Sequence, residues 1–450
     1  MLIQIDIKKQ EELQTRTLLF FFIPLGLSAS LVTLSHIIIN STLARAENAE
    51  FVIASYAIAM SLFGITERLA VLLRQTCSSL VRDKSSFKIM SSFSGYVIIS
   101  LLIVSLAVAY TPVGNFIFST IYGVKDDMVI TIKETYQVLI FVTIFSALRC
   151  LGHGIIIFNR QTKWLTIGMG IRLAAMYLLS LYFIQSGSID GRTGAYIFLA
   201  GMMIECIISL IEARSLVKKM PEKQPQQIKS KKQIFKFYSP LMLSSIIIVA
   251  VGPAINIFLG KTNDIALAIA SYAIALSVTH LLISFFSYTH QIVINFYDDY
   301  EAKVKRFSFV MGFIPCILIG IFCYTPIGTF FMEHVIGVDG RLLEASLRVL
   351  KVFMIMALVF PFVDFFNGLL MLHKQTKVTI ISQSTNLVIT MIILFLGVQF
   401  MSEWNGIIGA LAQSFGMLAE LIVVSSIVNA REHSEGRSSV FAIRGLSREG

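Results

Sequence analysis

Ala54-Ser55-Tyr56-Ala57-Ile58-Ala59 is read again 216 residues later as Ala270-Ser271-Tyr272-Ala273-Ile274-Ala275. Outward from that hexapeptide, other segments pair off at displacements between 214 and 216 residues. Phe21-Phe22-Ile23-Pro24-Leu25 pairs with Phe237-Tyr238-Ser239-Pro240-Leu241. Tyr110-Thr111-Pro112-Val113-Gly114 pairs with Tyr324-Thr325-Pro326-Ile327-Gly328, and Gln161-Thr162-Lys163 with Gln375-Thr376-Lys377. Gly194-Ala195, Gly201-Met202 and Glu205 return as Gly409-Ala410, Gly416-Met417 and Glu420. So constant a displacement along nearly the whole chain means two homologous halves. In an apolar chain, two homologous helical bundles imply a transporter, with a cavity between the halves near the membrane midplane.

The 450 residues are 56% hydrophobic and 14% charged. A soluble domain carries roughly 25% charged residues, so this chain has too little polar surface for water. Apolar runs of about 20 residues recur from end to end, each able to cross about 30 Å of hydrocarbon. The chain reads as an all-α polytopic membrane protein. Its net charge of +10 does not point to nucleic acid, because Lys and Arg gather in short loops on one side. Cys77, Cys150, Cys206, Cys316 and Cys323 lie in apolar segments without metal-ligand spacing and read as buried free thiols. The apolar run after Arg16 is too long for a signal segment and is retained as the first span.

Twelve transmembrane helices are expected, six per half, in two parallel repeats related by an axis along the membrane normal. They fall at roughly 17–43, 51–81, 87–111, 130–158, 163–185 and 193–216, then 238–259, 265–297, 304–325, 343–372, 377–400 and 406–429. The N-terminal bundle then covers 1–216, a basic cytoplasmic linker 217–237, the C-terminal bundle 238–431 and a tail 432–450. Pro221, Pro225 and paired glutamines make the linker a flexible tether. Pro24 and Pro240 are expected in the first turns of their spans, where a missing N–H costs little. Loops alternate in charge. Arg82 to Lys88, Arg160 to Lys163, the linker, Lys303 to Arg306 and Lys374 to Lys377 are basic. Glu50, Asp126-Asp127, Asp264, Glu333 and Glu403 mark the other side. The basic side and both termini are expected in the cytoplasm, in a plasma or inner membrane. Asn115 to Tyr122 and Thr329 to Ile336, ended by Gly123 and Gly337, read as interfacial helices or re-entrant hairpins on the outer side.

Ionisable groups within hydrocarbon are costly and normally face a cavity, a partner or an interface. The substrate-binding candidates are Arg68, Arg74 and Gln75 in span 2, Arg149 in span 4 and Arg172 in span 5. His290 and Gln291 in span 8 and Asn386 in span 11 join them from the second half. The repeat maps Arg74-Gln75 onto His290-Gln291, Arg172 onto Asn386 and Cys150 onto Asp364. Bases outnumber acids among the deep positions, and the planar guanidinium fork suits phosphate and carboxylate, so a cavity lined this way attracts anions. Glu67, His153 and Asp364 are the candidates for proton or sodium coupling or charge balance. Blander readings stand beside these. Arg68 can pair with Glu67, Arg74 can snorkel to headgroups, and lone membrane histidines such as His36, His153 and His280 commonly serve packing. Glu205 and Glu420, at matching places in spans 6 and 12, read as structural hydrogen-bonding residues between helices. Asn40-Ser41-Thr42 matches a glycosylation acceptor but sits at a span end.

Catalytic and metal motifs are missing from the sequence: Gly260-Lys261-Thr262 has Ile255 where a phosphate loop needs its leading glycine. The chain is not expected to be an enzyme or to carry a cofactor.

Two parallel six-helix halves joined by a basic connector resemble the multidrug/oligosaccharidyl-lipid/polysaccharide (MOP) exporter superfamily, with a MATE-like fold. Within it, Phe21-Phe22-Ile23-Pro24-Leu25-Gly26, Ala54-Ser55-Tyr56 with Ala59 and Ser61-Leu62, and Ile336-Gly337-Val338-Asp339 with Leu347-Arg348 are similar to the progressive ankylosis (ANKH) family. Pro253 and Asn256 fall where that family has a proline and an asparagine, and Arg74-Gln75 keeps its basic-plus-amide pair. The resemblance implies efflux of a small anion such as pyrophosphate, a nucleotide or citrate. Ser35-His36 stands where that family has acids in span 1, which departs from carboxylate-based coupling there. The alternatives are a flippase for a lipid-linked saccharide or other amphiphile, a cation-coupled multidrug extruder, and a non-transporting scaffold.

Overall fold

The computed structural model of the chain describes residues 15–159, 161, 163–222, 230–373 and 375–434. The extreme N-terminus, Arg160, Thr162, Lys374, the linker segment containing Pro225 and its glutamines, and the tail from 435 lie outside the described residues. In the first half, α1 (Thr15–Leu43), α2 (Ala49–Leu80), α3 (Lys84–Tyr110), α4 (Asp126–Phe158), α5 (Lys163–Ser186) and α6 (Gly191–Lys219) follow one another. In the second, α7 (Lys231–Val249) and α8 (Val251–Leu259) share one span, and α9 (Ile265–Ser284) leads into α10 (Thr289–Tyr324). Then come α11 (Gly340–Leu372), α12 (Thr376–Phe400) and α13 (Gly406–Ser434). Among the described residues, nine helical stretches are long and apolar enough to cross a membrane. One of them, Ile265–Tyr324, is broken at Tyr300 (φ −141°, ψ 43°) and supplies two passes. The shorter apolar helices Ala29–Leu43 and Ser245–Leu259 bring the passes to the twelve expected. The protein is an integral membrane protein.

The duplication is physical as well as textual. In the first half α4 packs on α2, α3 and α6, and α5 packs on α6 and α1. In the second α11 packs on α9, α10 and α13, and α12 packs on α13, α7 and α8. The repeated hexapeptide sets one such contact. Its Tyr56 ring fills the space over Gly194 of α6, where a Cβ would meet ring carbon at 2.9 Å. Tyr272 does the same over Gly409 of α13, again at 2.9 Å. The Thr-Pro pairs start matching short helices, Pro112–Asn115 and Pro326–Phe330, with the threonine hydroxyl accepting from Val113 N (3.2 Å) or Ile327 N (3.3 Å). Proline at the first helical position loses no hydrogen bond there. Each short helix runs into a π-helix, Phe116–Ile121 or Phe331–Ile336, and each turn out is left-handed, at Gly123 (φ 73°) and Gly337 (φ 88°). Glycine carries that conformation without strain. Capping boxes at Asp83/Ser86 and Asp190/Thr193 start α3 and α6.

Several expected boundaries shift. Pro24 and Pro240 each lie nine residues beyond their helix start, not in a first turn. Residues 15–23 and 231–239 hold no helix breaker, so both helices continue below the hydrocarbon-crossing run. α6 ends at Lys219 and α7 begins at Lys231, so both helices reach into the 217–237 stretch, and Lys231 lies over the Tyr96 ring (4.2 Å). The seventh span breaks at Ala250, where Pro253 leaves the Val249 carbonyl without its i+4 donor. The eighth breaks over residues 285–288, between α9 and α10.

The apolar core is joined at one end and divided at the other. At the acidic-loop end a single cluster runs through both halves, taking in Ile39, Ile53, Tyr56 and Val142 with Ile255, Tyr272 and Phe353. At the basic-loop end the described residues form two clusters. Leu73, Met90, Ile155 and Ala213 pack with Tyr238 of α7, while Phe22 of α1 packs with Val293, Phe365 and Val424. At this end the first helix of each half therefore leans on the opposite bundle. Tyr238 donates to the Leu69 carbonyl (2.7 Å), and Phe22 meets Phe285 edge-on at 5.5 Å.

Candidate functional site

Four of the predicted polar residues gather inside the first bundle, around a fifth that the sequence reading had given a structural role. Glu205 of α6 is fully buried. Its Oε2 accepts from Arg149 Nη1 of α4 and from Arg172 Nη1 of α5, both at 2.9 Å. His153, one turn along α4 from Arg149, places Nε2 3.6 Å from Oε1. Glu67 of α2 is half-buried and within electrostatic reach of Arg149, Arg172 and Glu205. Glycines make room for the knot. A Cβ at Gly201 would press on Arg172 Cγ at 3.1 Å, and one at Gly168 would touch Glu205 Cγ at 3.6 Å. The Arg172 guanidinium lies over the Phe198 ring at 5.4 Å. One carboxylate thus answers two guanidinium groups. Arg149 Nε, Arg172 Nε, both His153 ring nitrogens and Glu205 Oε1 are left without hydrogen-bond partners.

The second bundle holds a matching glutamate with an amide in place of the guanidinium. Asn386 of α12 donates through Nδ2 to Glu420 Oε2 of α13 at 2.7 Å. Glu205 and Glu420 each tie the sixth helix of a half to its fifth, so the matched glutamates do act between helices.

His290 and Asp364 meet where the eighth span is interrupted. Through the break, Phe286, Ser287, Thr289 and Gln291 donate to carbonyls three residues back, the tighter 3₁₀ pattern. The His290 N–H goes to Asp364 Oδ2 (2.9 Å), and His290 Nδ1 lies 3.0 Å from Oδ1. Asp364 of α11 thus caps the restarted helix and grips its histidine.

Arg68, Arg74, Gln75 and Gln291 enter none of these clusters. Arg68, Gln75 and Ser79 form an exposed stripe on the basic-loop half of α2; Arg74 is half-buried. Among the described residues neither Arg68 nor Arg74 has a hydrogen bond or ion pair, and Glu67 lies within electrostatic reach of Arg68 without closing one. Gln291 with exposed Ile294 and Asn295 forms the corresponding stripe on α10. The joined core takes residues 52–63 of α2 and 268–283 of α9. The stripes lie beyond that seam, on the halves of these helices where the core divides.

At the acidic-loop end the halves are bolted together through Arg341 and Arg45, which the sequence reading did not single out. Arg341 of α11 grips both Glu50 carboxylate oxygens at the start of α2 and Asp264 at the start of α9 (3.0 Å). Arg45, at the end of α1, reaches the Ile336 carbonyl (3.1 Å), and Ser41 donates to the Val335 carbonyl (2.6 Å). These carbonyls end the second half's π-helix. The first half's π-helix docks reciprocally, since a Cβ at Gly260 would collide with the Tyr122 carbonyl. Each half thus rests its π-helical turn on the first span of the other. Asn40 lies just inside this seam, buried and bonded to Ser277 Oγ (2.6 Å), unavailable as a glycosylation acceptor.

Comparison with protein-family models finds no match, and neither does comparison with curated proteins. Solved structures do match. The lipid II flippase MurJ in an inward closed conformation superposes with a TM-score of 0.68 at 15% identity, covering 89% of this chain and 87% of that one. An inward-facing multidrug resistance MATE transporter of the MOP superfamily gives 0.64 at 14% identity, covering 90% and 99%. A MOP transporter from Pyrococcus furiosus, described as having reverse polarity of its binding pocket, gives 0.59 at 13% identity, covering 92% and 95%. The chain has the fold of the MOP-superfamily transporters, an all-α membrane fold of twelve passes in two parallel six-helix repeats.

Proposed function

We propose that this protein is a secondary transporter that moves a small organic or phosphorylated anion out of the cell by alternating access of its two bundles. One observation carries the reading: the core joined across both halves at one end and divided into two at the other. The shared core closes the acidic-loop end, which supports alternating access with the basic-loop end as the one that opens more readily. With the basic loops and both termini in the cytoplasm, that end faces inward.

The sign of the cargo follows from the cations. Arg68 and Arg74 stand on the basic-loop half of α2 with no hydrogen bond or ion pair among the described residues, whereas both arginines of the buried knot are held by Glu205. An anion entering at the basic-loop end would be offered guanidinium groups from α2 and the amides Gln291 and Asn295 from α10. The similarity to the ANKH family favours pyrophosphate, a nucleotide or a citrate-like tricarboxylate among such anions. The His290–Asp364 pair is the coupling candidate best placed to exchange a proton, because it is partly accessible and sits at an interrupted helix. Glu67 and His153 balance charge in the knot.

The test is anion efflux from proteoliposomes. Two charge-assisted hydrogen bonds of about 1.5–3 kcal/mol each are lost if both arginines contact the anion. Combined Arg68→Ala and Arg74→Ala substitution is therefore expected to cut efflux at least tenfold while leaving thermal stability almost unchanged. Undiminished efflux removes these arginines from the pathway. The likeness to a lipid II flippase supports a second reading, in which the arginines receive the diphosphate of a lipid-linked saccharide. Flipping of a fluorescent polyprenyl diphosphate, with no soluble anion flux, would establish that reading instead.

A further inference from the structure

A groove of about 420 Å³ opens on the flank of the first bundle, away from the seam between the halves. Phe87 of α3, Leu151 of α4 and Leu210 of α6 line it, and its walls are mostly apolar. Its mouth is different. Lys84, Arg214 and Lys218 converge there from the start of α3 and the end of α6. Arg214 and Lys218 are one helical turn apart and exposed. Lys84 holds the exposed Glu222 at 2.7 Å; Arg214 and Lys218 have no acidic partner among the described residues.

Basic side chains at helix ends are ordinary at a membrane surface. A slot beneath them is not part of that pattern. The groove starts at the level of the basic loops, where headgroups lie, and continues along Leu210 and Leu151 towards the hydrocarbon. Its apolar length suits an acyl chain and its mouth suits a phosphate, in the order in which a phospholipid presents them. The geometry points to a binding site for an anionic phospholipid in the leaflet on the basic-loop side, with the phosphate held by Arg214 and Lys218. None of these residues belongs to the proposed anion pathway, so the inference stands or falls separately from it.

The experiment is native mass spectrometry of the full chain released from membranes holding equal phosphatidylglycerol and phosphatidylcholine. The intact protein is expected to retain phosphatidylglycerol preferentially. Combined Arg214→Glu and Lys218→Glu substitution, at two exposed positions, is expected to reduce that preference at least tenfold. Arg214→Gln with Lys218→Gln is the milder pair should the reversal impair insertion. Inorganic phosphate offers the same anion without acyl chains and is expected to leave lipid retention unchanged. Equal retention of both lipids by the intact protein, an unaltered preference in the variants, or displacement by phosphate alone would overturn the assignment.

Discussion

Glu205 is placed where its loss leaves the most behind. Removing one partner of a buried ion pair costs about 3–5 kcal/mol, because the surviving charge stays desolvated. Here two guanidinium groups would be stranded. Glu205→Gln is therefore expected to destabilise the protein by at least about 3 kcal/mol in chemical denaturation. Its counterpart Glu420 answers only the Asn386 amide, which a glutamine oxygen still accepts. Glu420→Gln is expected to cost no more than about 1.5 kcal/mol. Equal losses at the two sites would show that the arginines do not depend on Glu205. At this scale the sequence exposed half of the arrangement. Arg149, Arg172 and His153 stood out as charges inside apolar runs, and the matched glutamates stood out through the repeat. That Arg149 and Arg172 converge on Glu205, and Arg68 on no carboxylate, depends on helix rotations that periodicity leaves open.

The break between α9 and α10 is a property of an element. Nothing in Phe285-Phe286-Ser287-Tyr288 is a helix breaker, and the corresponding stretch of α2 is continuous. The interruption is held by a side chain from another helix, since Asp364 takes the N–H of His290. Asp364→Ala should leave that N–H unpaired, costing about 1–3 kcal/mol. Faster hydrogen exchange confined to residues 285–291 is the expected signature. Asp364→Asn keeps an acceptor oxygen and should restore most of the protection. If the alanine variant exchanges like the parent protein, the break is fixed by packing of Phe285 and Phe286 instead. The seventh-span break, by contrast, follows from Pro253, which the sequence displays openly. The glycine-ended stretches 115–122 and 329–336, expected as interfacial helices or re-entrant hairpins, are short helical turns whose π-helical winding and reciprocal docking no local signal carried.

For the whole molecule the question is which end opens. The acidic-loop end is closed by apolar packing and by Arg341, whose guanidinium joins Glu50 of one half to its own half's Asp264. Arg341 is 64% exposed in its side chain, so its clasp is worth about 1 kcal/mol. Arg341→Ala is then expected to move the equilibrium roughly fivefold towards opening at this end. Electron–electron distances between spin labels at Glu47 and Glu403, exposed in opposite halves, would report it as a longer-distance population. An unchanged distance distribution would assign closure to the apolar seam alone.

The amino-acid sequence by itself determined that the chain is helical, membrane-embedded and duplicated. These properties rest on composition and on a repeat, which survive any rotation or tilt of the helices. The tertiary structure alone decided that one carboxylate serves both deep arginines, that a through-space contact holds the eighth span broken, and that the core is shared at one end and divided at the other. Each of these is set by how helices distant in sequence turn towards one another. That choice is made by packing and desolvation summed over the whole bundle, to which no local stretch of sequence has access.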